Sequence, residues 1–179
     1  MDFSWPEEYT AYKQKISEFA KEELNNDLVS RDLAGDFSME NWKKCADFGI
    51  QGLSVPKAYG GADEEVDLLK SMLAMEGFGY SCRDNGLALA LNAQMWTVQL
   101  PIAHFGSEDI KNRFLPDLTS GRKIASHALT EPEAGSDATS QRTTAIDKGD
   151  HYLVNGTKNW ITNGGTASIY LVIAQTDAD

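Results

Sequence analysis

The chain has 179 residues, 41% hydrophobic and 24% charged, with a net charge of −11. That composition excludes a disordered or low-complexity protein and leaves room for one ample domain or two small ones. Residues 1–120 hold 11 Lys+Arg against 20 Asp+Glu, and residues 121–179 hold 5 against 7; such acidity without a basic stripe excludes nucleic acid and an anionic membrane surface as partners. An anionic ligand would need locally placed donors. Cys45 and Cys82 are far apart and lack CxxC spacing, so they read as buried thiols of a reducing compartment. The opening MDFSWPEEYT has no basic, then apolar, leader. A cytoplasmic protein is expected, although a processed organellar one would read the same way.

The first part of the chain carries helical periodicity. Ser4 and Glu7 fit a capping box, followed by Tyr9, Tyr12, Ile16 and Phe19 on one face of a helix ending near Leu24. Ser38 caps a second helix through Trp42, Cys45 and Phe48, which Gly49 stops. The stretch Ser54–Gly61 breaks structure. Asp63 is expected to open a third helix with Val66, Leu69, Met72 and Leu73 as its apolar stripe. From Gly86 to Phe105 the chain has no Lys, Arg, Asp or Glu. About 20 apolar residues would span a bilayer, but Asn92, Gln94, Gln99 and His104 interrupt the run and Pro101 breaks its last turn. A helix buried inside a helical domain is expected, with no membrane span. Ser107 starts a fifth helix with Ile110 and Phe114, ended by Pro116.

After Gly121 the period changes to two. Arg122–Leu129 and Arg142–Ile146 read as strands. His151–Val154 is joined by Asn155-Gly156, a type I′ hairpin signal, to a strand over Lys158–Thr162, and Ser168–Ala174 is an apolar strand. The fold class is α+β: an all-α domain of about five helices over residues 1–120, then an antiparallel β-domain over 121–179. That β-domain is incomplete. Ile169–Ala174 would be buried on both faces, and four or so strands leave it without cover. Further polypeptide, covalent or not, is expected to complete it.

Between two of these strands lies Leu129-Thr130-Glu131-Pro132-Glu133-Ala134-Gly135-Ser136-Asp137-Ala138-Thr139-Ser140. Backbone N–H groups around Gly135-Ser136 can turn outward to meet an anion, and the Ser136 hydroxyl adds a donor. On its own the pattern also suits a polar connection with no ligand. Glu131 reads as a loop-structuring or solvated carboxylate, and Asp137 as a cap of its own loop. His104, His127 and His151 lack metal-ligand spacing, so no metal site is expected.

LTEPEAGSDATS (129–140) resembles a signature of the acyl-CoA dehydrogenases, and NGTKNWITNGG (155–165) resembles their second flavin-contacting hairpin. Val55-Pro56-x-x-Tyr59-Gly60-Gly61, and Phe105-Gly106-Ser107-Glu108 leading to Phe114-Leu115-Pro116, are weaker echoes. The resemblance implies FAD as cofactor. Leu129 and Thr130 would bond the pyrimidine side of the flavin, Gly135 and Ser136 would meet its pyrophosphate, and Ser136 would also touch the CoA end of the substrate. Trp160 would pack beside the rings and Thr162 would bond near N5; read without the resemblance, they are a core tryptophan and an ordinary strand threonine. His127 would lie either near the flavin edge or half-buried on its strand. Met95, Trp96 and Val98 match a helix that lines the acyl pocket in relatives, with core packing as the alternative. The reaction would be α,β-dehydrogenation of an acyl-CoA or acyl-carrier-protein thioester in fatty acid metabolism. Hydride would pass to FAD and then to an electron-transfer acceptor, in a homo-oligomeric full-length protein. No catalytic residue is assigned, because the resemblance places the base in a C-terminal helical domain that these residues do not include. Related oxidases, monooxygenases and carrier-protein acyl dehydrogenases, or a non-catalytic flavin- or acyl-binding module, are the alternatives.

Overall fold

The computed structural model describes residues 4–176. The chain divides into two compact units, one up to Lys123 and one from Ile124. The first is helical and the second carries every described strand, so the α+β class holds. Among the described residues, six continuous helices form the first unit, against about five expected.

Helix α1 (Glu7–Glu23) starts after Pro6, which offers no side-chain acceptor, so the capping box expected on Ser4 gives way. Glu7 and Glu8 in the first turn complement the helix dipole instead. Helix α2 (Leu28–Ala34) has no sequence signal, because its apolar Val29 and Leu33 face solvent. Helix α3 (Met39–Phe48) runs as its caps predict: the Ser38 hydroxyl accepts from the Asn41 N–H, and Gly49 ends it in a left-handed conformation. Helix α4 (Leu68–Ser81) begins later than expected. Asp67 caps it by accepting from the Lys70 N–H, while Asp63 pairs with the Lys70 ammonium at 2.7 Å. The expected stripe is also rotated. Leu69 and Met72 are exposed, and α4 buries Ser71, Leu73, Ala74, Gly77 and Phe78. Gly77 marks the close contact with α1, since its bare backbone lies on the Lys13 carbonyl.

Helix α5 (Asn85–Gln94) continues through a wide π-turn at Met95–Gln99 into α6 (Leu100–Phe105). Pro101 does not break it. The wide turn, closed by the Leu100 N–H on the Met95 carbonyl, leaves room for a ring that would crowd the carbonyl four residues back in a regular helix. Met95 and Val98 are fully buried in the core of this unit. Three buried glutamines link its parts. Gln94 donates to Gln99 (2.9 Å) and to the Leu118 carbonyl, Gln99 to the Gln51 carbonyl (2.8 Å), and Gln51 to the Trp42 carbonyl (3.0 Å). Helix α7 (Glu108–Thr119), capped by Ser107, runs past Pro116, because burial of Leu115 and Leu118 holds its last turn. Among the described residues, no helix is long and apolar enough to cross a membrane, and no cluster of side chains could hold a metal ion.

The second unit contains β1 (Ala125–Ala128), β2 (Thr144–Asp147), β3 (Tyr152–Asn155) and β4 (Ile169–Val172). β2 and β3 are antiparallel, Ile146 opposite Leu153. β1 and β4 are parallel, Ala125 opposite Ile169, which corrects the antiparallel expectation for that strand. Their connection is a long crossover, and parallel pairing requires one. The β2–β3 turn is Lys148–His151, closed by the Lys148 N–H on the His151 carbonyl. Asn155-Gly156 is therefore no hairpin, and Lys158–Thr162 is no strand. Gly156 instead presses on Thr143: a Cβ there would lie 2.1 Å from its Oγ1 and 2.8 Å from its Cα. Tyr170 and Val172 on β4, and Ile146, Tyr152, Leu153 and Val154 on the hairpin, are exposed.

A Cβ at Gly77 would lie 2.6 Å from the Lys13 carbonyl oxygen, whereas one at Gly79, on the same helix, meets nothing within 4 Å. Gly77→Ala should therefore cost about 1–3 kcal/mol by overpacking, and Gly79→Ala should gain about 0.5–1 kcal/mol from helix propensity. Urea unfolding of the two variants should shift in opposite directions; equal shifts would disprove the close contact.

Candidate functional site

Both sequence segments singled out above lie in the second unit, and one lysine joins them. After β1 the chain makes a tight turn in which Glu131 and Ala134 exchange backbone bonds of 3.0 and 3.2 Å. The Glu131 carboxylate points inward. Its Oε2 accepts the Arg142 N–H (2.6 Å), and its Oε1 accepts the Thr143 N–H (2.9 Å) and the Lys158 ammonium (2.8 Å). Lys158 also donates to the Leu129 carbonyl (2.8 Å) and to Gln141 Oε1 (3.1 Å). Both side chains are nearly closed to solvent, 11% exposed for Lys158 and 6% for Glu131. The Lys158 ammonium first, then Thr143 and the Arg142 N–H, bring the Glu131 carboxyl down to about 2. Glu131 is thus loop-structuring, and a carboxylate so fully engaged is a poor general base. Asp137 accepts from the hydroxyls of Ser140 and Thr139 within its own loop, and these bonds lower its carboxyl.

Asn159, next to Lys158, donates its N–H to the Thr130 carbonyl at 2.8 Å. The chain then turns sharply outward. Trp160 has φ +59° and is 90% exposed, neither on a strand nor in the core. The left-handed conformation costs a non-glycine residue about 1–2 kcal/mol, so the flanks must impose it. They do: the Ser126 hydroxyl donates to the Thr162 carbonyl (2.8 Å), and the Asn163 amide to the Ala125 carbonyl (3.2 Å). An outlier held this way is a functional signal.

Leu129, Thr130 and Thr162 are half-buried, while Gly135 and Ser136 are exposed on the loop. Among the described residues, the N–H groups of Leu129, Thr130, Gly135, Ser136 and Thr162 find no acceptor, nor do the hydroxyls of Ser136 and Thr162. This donor set suits a planar heterocycle edge and a phosphate, as FAD offers. His127 is half-buried on β1; burial and then the Lys158 charge push its imidazole below the ordinary value. Lys158, Asn159 and Asn163 are the organising residues that the sequence reading passed over. All three lie inside NGTKNWITNGG, and a lysine there facing a glutamate in the first segment was the available signal.

The sequence matches the family profile "Acyl-CoA dehydrogenase, N-terminal domain" over residues 6–122 and "Acyl-CoA dehydrogenase, middle domain" over residues 126–179. It is 37% identical to the short-chain specific acyl-CoA dehydrogenase of Clostridium acetobutylicum, over 99% of this chain and 46% of that protein. Among solved structures it is similar to the prolyl acyl carrier protein oxidase AnaB (41% identity, TM-score 0.91, 97% of this chain and 46% of that one). It is also similar to the FAD complex of PigA (34% identity, TM-score 0.93, 100% and 46%). The chain spans about half the length of the curated relatives it matches.

Because the Glu131 carboxyl is lowered from 4.5 to about 2, its stabilising contribution is complete above pH 4.5 and is lost as pH falls through about 2. The Arg142 and Thr143 amides, bonded to it, should lose hydrogen-exchange protection across that window. In Glu131→Gln they should be less protected at neutral pH and show no such acid step; a step that persists in the variant would exclude Glu131 as its origin.

Proposed function

The chain belongs to the acyl-CoA dehydrogenase family, and we propose that it supplies the flavin-contacting portion of an FAD-dependent enzyme that dehydrogenates an acyl thioester between its α- and β-carbons. The observation that carries this reading is the row of unpaired donors on Leu129, Thr130, Gly135, Ser136 and Thr162, beside a tryptophan exposed by a left-handed backbone. FAD, when bound, supplies the hydride acceptor. Leu129 and Thr130 take its pyrimidine edge, where N–H donors stabilise added negative charge. Gly135 and Ser136 meet the pyrophosphate, with Ser136 also reaching the carrier end of the substrate. Trp160 flanks the rings, and Thr162 orients the hydride-accepting edge. Residues 1–120 form the N-terminal helical domain and 121–179 the start of the middle β-domain.

No residue of this chain is assigned as the base. Glu131 and Asp137 hold their own loops, so the α-proton is removed by a carboxylate supplied from elsewhere. By itself the chain would then be inactive and hold FAD weakly. In the complete protein we infer a cytoplasmic homo-oligomer that works in fatty acid metabolism and passes electrons to a separate acceptor. Likeness to the prolyl acyl carrier protein oxidase supports a second reading, in which the thioester is carried by a protein rather than by CoA.

Visible spectra test the proposal. The complete gene product should show flavin bands that bleach when an acyl-CoA or acyl-carrier-protein thioester is added without oxygen. Residues 1–179 alone should bind little FAD. Thr162→Val in the complete protein should keep FAD and slow bleaching by about 100-fold. A colourless complete protein would refute the flavin site, and bound flavin that no thioester bleaches would identify a non-catalytic module.

A further inference from the structure

Lys158 spends its three N–H donors on three acceptors, and only one of them is the Glu131 carboxylate. The contact with the Leu129 carbonyl, at 2.8 Å, has a different consequence. That carbonyl shares a conjugated peptide unit with the Thr130 N–H. A cation on the oxygen draws electron density through the amide and makes the N–H a more positive donor, as in any polarised hydrogen-bond chain. The Thr130 N–H has no acceptor among the described residues, while the Thr130 carbonyl is fixed by the Asn159 N–H at 2.8 Å. The Leu129–Thr130 peptide is therefore polarised at its carbonyl and open at its N–H, and the residue next to Lys158 fixes the peptide that follows it. Because Lys158 is 11% exposed, water does little to screen the effect. The pair with Glu131 is neutral overall, so the influence is short-ranged and directed along this one peptide.

We propose that Lys158 is a positioning residue that acts through the Leu129–Thr130 peptide, strengthening the Thr130 N–H as a donor that favours a bound flavin in its two-electron-reduced state over its oxidised state. The inference rests on the assignment of Leu129 and Thr130 to the flavin under the proposed function. It separates two roles that the same lysine could fill. A lysine needed only for loop architecture would affect both flavin states alike. A lysine that polarises the Thr130 N–H acts more strongly on the state carrying added charge at the pyrimidine end.

The test compares midpoint potentials of FAD in the complete gene product, in Glu131→Gln, in Lys158→Arg and in the double variant Glu131→Gln/Lys158→Gln. The double variant leaves no unpaired buried carboxylate, so it is the one suited to fold. Relative to Glu131→Gln, it should lose about tenfold in preference for reduced over oxidised flavin, which is about 30 mV for two electrons. Lys158→Arg, which keeps the charge, should retain most of the preference. A second measurement needs no variant: in the wild-type protein the Thr130 amide proton should move downfield on two-electron reduction, and that of Asn159, which points into the protein, should not. Unchanged potential in a double variant that binds FAD would overturn the role of Lys158 alone, and an unmoved Thr130 resonance in a protein that binds FAD would overturn both that role and the placement of the Thr130 N–H against the flavin. A complete protein that binds no FAD would overturn the flavin assignment itself.

Discussion

Burying an ammonium and a carboxylate together is tolerable only if nearly every donor and acceptor of both finds a partner, because removal from water costs several kcal/mol per ion. Lys158 and Glu131 meet that condition with four hydrogen bonds besides their own ion pair, to Leu129, Gln141, Arg142 and Thr143, and the neighbouring Asn159 ties its N–H to the Thr130 carbonyl. A condition this strict fixes position as well as energy. The segment after β1 and the segment after β3 have no strand pairing with each other, yet the pair allows them one relative placement. Gly156 adds a steric condition, since its backbone rests on Thr143 where no side chain would fit. The outward turn at Trp160 then follows, because its two ends are already tied to Thr130, Ser126 and Ala125.

The same arrangement explains why the site is made of loops and not of a sheet face. A strand over Lys158–Thr162 would have used its N–H groups in a ladder. Held by side chains instead, Thr162 and the residues after β1 keep their donors free, and Trp160 keeps its ring exposed. The strain at Trp160 is offset by bonds that lie on either side of it, a division of labour common where a site must be ready before its ligand arrives. The hairpin and β4 expose apolar side chains in the same unit, which is surface that wants cover.

Sequence pattern revealed the parts of this chain that depend on local chemistry. Ser38 and Gly49 bracket α3 because capping needs only neighbouring residues, and Ser107 marks α7 for the same reason. Patterns failed where contact partners decide. Ser71 is buried on α4 because it donates to the Leu53 carbonyl, and Gly77 because it lies on the Lys13 carbonyl of α1; hydrophobic periodicity cannot see such small-residue contacts. Pro101 and Pro116 look like helix ends until a π-turn or a buried last turn absorbs them. Asn155-Gly156 has hairpin chemistry, but its glycine answers to Thr143 rather than to a turn. The parallel pairing of β1 with β4 rests on a crossover that no short window contains. The site residues were legible because two segments resemble a family; the lysine that holds them together was inside the quoted motif and carried no periodic or turn signal of its own.

The acidity of the chain, which seemed unsuited to an anionic ligand, fits this design. In the second unit Lys158 is turned inward to Glu131, and Arg142 is paired with Glu133 at 2.7 Å. Lys158 is closed off from solvent, and the exposed Arg142 has its charge offset by Glu133. What faces outward near Gly135-Ser136 and Leu129-Thr130 is a set of backbone N–H dipoles and hydroxyls, which act over a few ångströms and only in fixed directions. A surface cation would attract any anion and would weaken with salt. Oriented amides discriminate by shape, and a buried cation behind one of them sharpens that amide without adding to the general field. The net charge therefore says little about what this unit binds, and the placement of a single lysine says a great deal.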